Sequence, residues 1–396
     1  MSRSNAALQG VLQTAIDRGE RGVQVAAYLN DQLIIDGWIG QADSRGTAVT
    51  GSTLFPIFSV TKGLAVTAIH LQAQRGLLEY DSPAAAYWPE FKANGKHEIT
   101  VRQLLTHQAG LPQMPSGVTP ERLADWDWCA ENIAALEPIL PVGSSGYASL
   151  SYGWLLGELI RRTDPAHRGF AQFTREDILE PLGIDDFYVG MNGRQHDRVA
   201  ELITGGTLRA DPPPLRALAM PPAVEPGVLW NDPVLYDAVI PGAGGIANAR
   251  SVARLFAMLA GKGAFRGQRI LTEERVMTFT EPRPNSDQVD PVLGQVPWIG
   301  VGGYWLGGET PPAEPIIGTG PHTLASNGAG GSIAWADLDT GLAVAICHNR
   351  MFRIAPPLPP DEHPFHEIGE YARSLITLRA TPSATAKADE EQATHE

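Results

Sequence analysis

The chain has 396 residues, of which 43% are hydrophobic and 19% charged, and it carries 32 prolines and 42 glycines. This is the composition of an ordinary soluble globular protein that is too long for one small core and rich in loops; no internal period of about 20 to 50 residues is present. A net charge of −14 speaks against a phosphate-binding surface, so nucleic acid is not an expected partner. Two cysteines, Cys129 and Cys347, offer neither a disulfide framework nor a zinc-ligand spacing. No metal or cofactor is expected. The N-terminus lacks a signal-like apolar run and no window approaches about 18 apolar residues, so the expectation is a cytoplasmic protein with no membrane partner.

In chain order, residues 6–18 show amphipathic helical spacing through Leu8, Val11, Leu12, Ala15 and Ile16. Residues 23–29 and 33–38 read as two strands joined by an Asn30-Asp31 turn, a hairpin. An apolar stretch from Leu54 to Phe58 then meets Ser59, and a helix is predicted over 61–74. Residues 99–107 form a capped helix stopped by Gly110 and Pro112, and further helices are predicted at 121–136, 151–162 and 170–179. The proline-rich stretch 205–233 reads as long loops, and 242–261 turns helical again. Strand signals return at 298–305, 332–337 and 342–348, the last two closed by Asp339-Thr340-Gly341. The tail 381–396 lacks large apolar groups and is expected to be disordered. With strands at both ends and helices between, the expectation is an α+β protein. One antiparallel sheet is built from residues 1–80 and 238–380, flanked by helices, with a mainly helical insertion at 81–237.

Three short motifs carry chemistry. Ser59 and Lys62 form Ser-x-x-Lys, which puts a hydroxyl and an amine on one face of a helix start. A buried lysine can lose its proton and then take the serine's. Tyr147-Ala148-Ser149, just ahead of a helix, supplies a phenol that can take part in proton transfer where positive charge lies near. Ser326-Asn327-Gly328-Ala329-Gly330-Gly331 leads into a strand, and its small residues let a substrate approach the backbone. There the N–H of Ala329 can pair with that of Ser59 as an oxyanion hole. Taken singly, each motif also fits a bland role: an N-cap serine with a surface lysine, a loop-anchoring tyrosine, a glycine-rich hairpin. His107 reads as a structural hydrogen-bonder, and His322 and His348 lie near the third motif in sequence. Tyr152, Trp298, Tyr304 and Trp305 are aromatic candidates for an acyl pocket.

The order of these motifs resembles the serine β-lactamase and penicillin-recognising fold, in particular class C β-lactamases and family VIII carboxylesterases. The stretch ITVRQLLTHQAGLP at 99–112 is very like that family's ITIRHLLTHTSGLP, and residues 76–83, 147–159, 178–184 and 244–259 also match, so the resemblance spans about residues 8 to 350. It implies a β-lactamase-like fold, Ser59 as nucleophile, and Lys62 with Tyr147 as the proton-transfer pair, either being the resting base. It also implies substrate contacts from Ser149, Tyr152, Ser326, Asn327 and Gly328. Two departures matter. Ser326 stands where the family usually carries Lys, His or Trp, so the cation that would hold a β-lactam carboxylate is missing. Ser149 replaces the usual Asn. Both favour a small-molecule ester, lactone or thioester substrate hydrolysed through an acyl-enzyme. The alternatives are acyl transfer to an alcohol or amine, β-lactam or D-amino peptide hydrolysis, and an idle scaffold.

Overall fold

The computed structural model describes residues 3–207, 212–309, 312–353 and 358–380. Helix α1 (Arg3–Asp17) leads into the hairpin β1 (Gly22–Leu29) and β2 (Gln32–Gly40), followed by the short strand β3 (Phe55–Phe58) and helix α2 (Lys62–Gln74). The middle of the chain is mainly helical and includes α3 (Tyr152–Thr163) and the short strand β4 (Phe187–Val189). Strand β5 (Gly245–Ala247) and helix α4 (Ala249–Ala260) precede β6 (Trp305–Leu306), β7 (Thr323–Asn327), β8 (Ile333–Asp337), β9 (Leu342–His348) and α5 (His366–Ala380). Six strands form one sheet in the order β2-β1-β9-β8-β7-β6, with every pairing antiparallel. The two ends of the chain therefore meet at the β1–β9 pair, where Val25 lies opposite Ile346. A second sheet, β3-β5-β4, sits beside the nucleophile helix.

Alternation along the strands explains the layering. Val23, Val25, Ala27 and Leu29 of β1 face the side covered by Leu8, Leu12 and Ala15 of α1 and by Ile368 and Ala372 of α5. Ala26 and Tyr28 face the other side with Val252, Leu255 and Phe256 of α4. Because helices cover both faces, β1 is buried along its whole length. Its one buried amide, Gln24, is satisfied by backbone: Nε2 donates to Thr53 O at 3.0 Å, and Oε1 accepts from the Ala249 N–H at 3.0 Å.

Several expectations shift. The strand predicted over 298–305 shrinks to Trp305–Leu306, because Trp298 and Gly303 adopt positive φ (47° and 81°) and fold the preceding residues into turns. The helix predicted over 121–136 splits into Pro120–Ala124 and Trp126–Ala134. Asp125 is extended between them, and its carboxylate accepts from the Trp128 N–H to start the second helix. Residues 242–261 open as β5 before becoming α4. The predicted loops at 205–233 hold short helical turns among the described residues, such as Arg216–Ala219 and Val228–Asn231. The tail 381–396 lies outside the described residues. No helix among the described residues is long and apolar enough to cross a membrane.

Candidate active site

Ser59 opens a 3-10 turn, Ser59–Thr61, that runs directly into α2. Phe58 before it holds φ 45° and ψ −126°, a conformation costing a non-glycine residue about 1–3 kcal/mol, and its ring packs edge-on against Trp230 at 5.3 Å. Two contacts lock the turn. Thr61 Oγ1 donates to Phe58 O and accepts from the Gly245 N–H at 2.9 Å. A Cβ on Gly245 would lie 2.3 Å from Thr61 Oγ1, so only glycine leaves room for that bond. Ser326 Oγ then donates to Ser59 O at 2.9 Å, tying β7 to the nucleophile residue. As the first residue of the turn, Ser59 presents an N–H with no intrahelical acceptor.

Lys62 is 5% exposed, and its Nζ lies 2.9 Å from Ser59 Oγ, 2.7 Å from Ser149 O and 2.8 Å from Gly242 O. Burial pushes its amine down to about 7. The two carbonyls can only accept. In the neutral amine they take both N–H bonds, and the lone pair is left facing the Ser59 hydroxyl. Gly242 reaches this position because α3 packs backbone to backbone against it: a Cβ on Gly153 would lie 2.3 Å from Gly242 N.

The Tyr147 phenol is buried and hydrogen-bonds the Ser59 side chain. Burial raises it above the usual phenol range, against the lowering effect of the Ser59 bond, so it stays protonated at neutral pH. Its loop is held from behind. Asp290 Oδ2 accepts from the Tyr147 N–H and from Ser145 Oγ, both at 2.8 Å. The His107 ring stacks on Tyr147 at 4.4 Å and on Tyr152 at 4.2 Å, and its Nδ1 accepts from the Ala148 N–H at 3.1 Å. Burial, with Lys62 and Arg283 nearby, holds His107 neutral.

These groups open on a cavity of about 660 Å³ lined by Ser59, Tyr147, Ser149, Asn327, Gly328 and Ala329, among others. Gly328 is packed against β3 so closely that a Cβ would lie 2.5 Å from Ile57 O, and Ala329 follows it in the cavity lining. Ser149 Oγ lines the cavity but is buried without a hydrogen-bond partner. Two of the expected substrate contacts bond within the protein. The Ser326 hydroxyl donates to Ser59 O. Tyr152 is fully buried behind the site, its hydroxyl donating to Leu105 O at 2.8 Å, so it supports His107 and does not wall a pocket. Of the aromatic candidates, Trp305 lines the cavity, whereas Tyr304 is buried against Thr67. His348 reaches the cavity wall; His322 pairs with Asp339 near the surface. Sequence reasoning missed Gly242, Asp290, Glu20, Glu314 and His363. None of them belongs to a motif, and only the fold brings them here. Among the described residues no group of side chains suited to a metal ion is present.

A family model described as Beta-lactamase matches residues 7–361. The chain is 33% identical over 362 residues, 86% of its length and 79% of the relative's, to the "Esterase/beta-lactamase LipL" of Mycobacterium tuberculosis. Among solved structures it superposes on a penicillin-binding protein homolog from Caulobacter crescentus with a TM-score of 0.82 at 31% identity, covering 94% of this chain and 98% of that one. It superposes equally well, TM-score 0.82, on a family VIII carboxylesterase at 27% identity, covering 94% and 98%.

Proposed function

The chain belongs to the beta-lactamase family and is a serine hydrolase of the esterase type; from that premise we propose that it cleaves carboxylic esters through an acyl-enzyme on Ser59. Neutral Lys62 takes the hydroxyl proton as Ser59 Oγ bonds to the ester carbonyl carbon. The carbonyl oxygen becomes an oxyanion, held by the N–H groups of Ser59 and Ala329. When the tetrahedral centre collapses, the C–O bond to the leaving group breaks, and the alcohol takes a proton from the Tyr147 phenol, which recovers it from the Lys62 ammonium lying over its ring. Water then attacks the acyl carbon and restores Ser59. The observation that carries this reading is the seating of Lys62: a buried amine near neutrality with two carbonyl acceptors and one hydroxyl. It supports Lys62, rather than the raised Tyr147 phenol, as the resting base.

An ester is favoured over a β-lactam because the described cavity residues offer no free cation beside the third motif. The one Lys or Arg among the described lining residues, Arg216, is paired with Glu225 at 3.1 Å. A cytoplasmic location remains part of the reading, supported by two free, buried cysteines. The test is a stopped-flow burst with p-nitrophenyl butyrate. One leaving group per enzyme should appear ahead of steady turnover, and Ser59→Ala should lose both phases; full turnover in that variant removes the proposal.

A further inference from the structure

The cavity wall away from Lys62 carries a second polar group that the ester mechanism does not use. Glu20 is 3% exposed; its Oε2 accepts from His348 Nδ1 at 2.7 Å, and its Oε1 has no partner. Glu314 has a side chain 12% exposed; its Oε2 accepts from Asn327 Nδ2 at 3.1 Å, and its Oε1 also has no hydrogen-bond partner. The His363 Nδ1 accepts from the Phe365 N–H at 3.1 Å, so its ring proton sits on Nε2. That nitrogen lies 3.5 Å from Glu314 Oε1, too far for a strong bond. The Phe365 ring meets His348 at 5.1 Å and His363 at 5.7 Å, which joins the two carboxyl–imidazole pairs into one wall. All five side chains line the cavity.

Two buried carboxyl oxygens with no hydrogen-bond partner, on residues that line one cavity beside an aromatic ring, form acceptor capacity that the described residues leave unfilled. We infer that this wall is a subsite for a protonated amine carried by the substrate, with Glu314 and Glu20 as acceptors and the Phe365 ring beside them. An ammonium brings several N–H donors, matching the two orphan oxygens, and its charge suits carboxylates that no lysine or arginine among the described cavity residues neutralises. Burial pushes the Glu314 carboxyl up to about 7, a desolvation cost that a bound cation would offset. A substrate carboxylate placed here would meet like charge. The inference rests on the Ser59 esterase reading and narrows its substrate class to esters bearing a basic amine.

The test compares isosteric ester pairs at fixed ionic strength. On the acyl side the pair is p-nitrophenyl 6-aminohexanoate against p-nitrophenyl heptanoate. On the leaving side it is 4-(aminomethyl)phenyl acetate against 4-ethylphenyl acetate. In one series kcat/KM should favour the cation about tenfold, and Glu314→Gln should lower that ratio about tenfold. Preference for the neutral ester in both series, or a ratio within about twofold of wild type in Glu314→Gln, overturns the subsite. Calorimetric binding of n-hexylammonium to the wild-type enzyme, with 1-hexanol as its neutral counterpart, keeps the test decisive if the variant does not fold. Tighter binding of the ammonium supports the subsite, and equal or weaker binding overturns it. That measurement also separates the two readings: absence of turnover with every ester would sink the Ser59 reading, while ammonium binding would still report on this wall.

Discussion

On the nucleophile side of the cavity, nearly every polar group is engaged by the protein itself. Lys62 has two carbonyls and a hydroxyl, Asp290 accepts from Tyr147 and Ser145, and Ser326 holds Ser59 O. On the far wall, Glu20 and Glu314 each keep an oxygen without a hydrogen bond. A side chain with all its partners supplied by the fold is held in one geometry, as a proton-transfer pair needs. A buried acceptor left open by the protein is a place where a donor from outside the fold is favoured. The difference separates the chemistry from the recognition of substrate, and Ser149, whose carbonyl serves Lys62 while its Oγ stays open, stands between the two.

The sharpest way to break that contrast is to fix the charge on the lysine. Lys62→Arg keeps a cation but cannot become neutral, so kcat should fall about a thousandfold. In the wild type, kcat/KM should rise with pH through about 7, because only the neutral amine accepts the serine proton and acid restores the ammonium. A pH–rate profile checks both; an unchanged limb near 7 in Lys62→Arg would assign it to another group. Next comes Tyr147→Phe, which removes the proton donor and keeps the ring stacked on His107. It should cost about a hundredfold in kcat with KM little changed, read from steady-state kinetics. Gly153→Ala acts through packing: a Cβ 2.3 Å from Gly242 N must push that backbone away, costing about 2–3 kcal/mol of stability. Denaturant unfolding measures the loss, and kcat should fall with it, because Gly242 O is a Lys62 acceptor. The smallest effect is expected from Ser326→Ala. It leaves Ser59 O without its 2.9 Å donor and should cost about 1 kcal/mol, seen as a small drop in thermal midpoint.

The nucleophile side was largely legible before the structure because its signals are local. Ser59 and Lys62 are one helical turn apart, and the hairpin of residues 332–348 shows both its strands and its turn in consecutive residues. The far wall was not. Glu20 follows α1, Glu314 lies ahead of β7 and His363 ahead of α5, and nothing in their neighbourhoods marks them as partners until the β1–β9 pairing closes the sheet. Phe58 illustrates a second limit, since its positive φ is imposed by the surrounding contacts and a phenylalanine does not advertise it. Tyr152 illustrates a third: as an aromatic beside the second motif it was a candidate for the acyl pocket, but its ring stacks on His107 and its hydroxyl donates to Leu105 O. Residues 298–304 read as a strand by composition, yet their glycines favour turns.

The most direct test of the account is to trap the covalent state. After brief mixing with p-nitrophenyl butyrate and an acid quench, intact-protein mass spectrometry should show one added butyryl group, and peptide mapping should place it on Ser59. An adduct on any other residue, or a butyryl group that persists in Ser59→Ala, would contradict it.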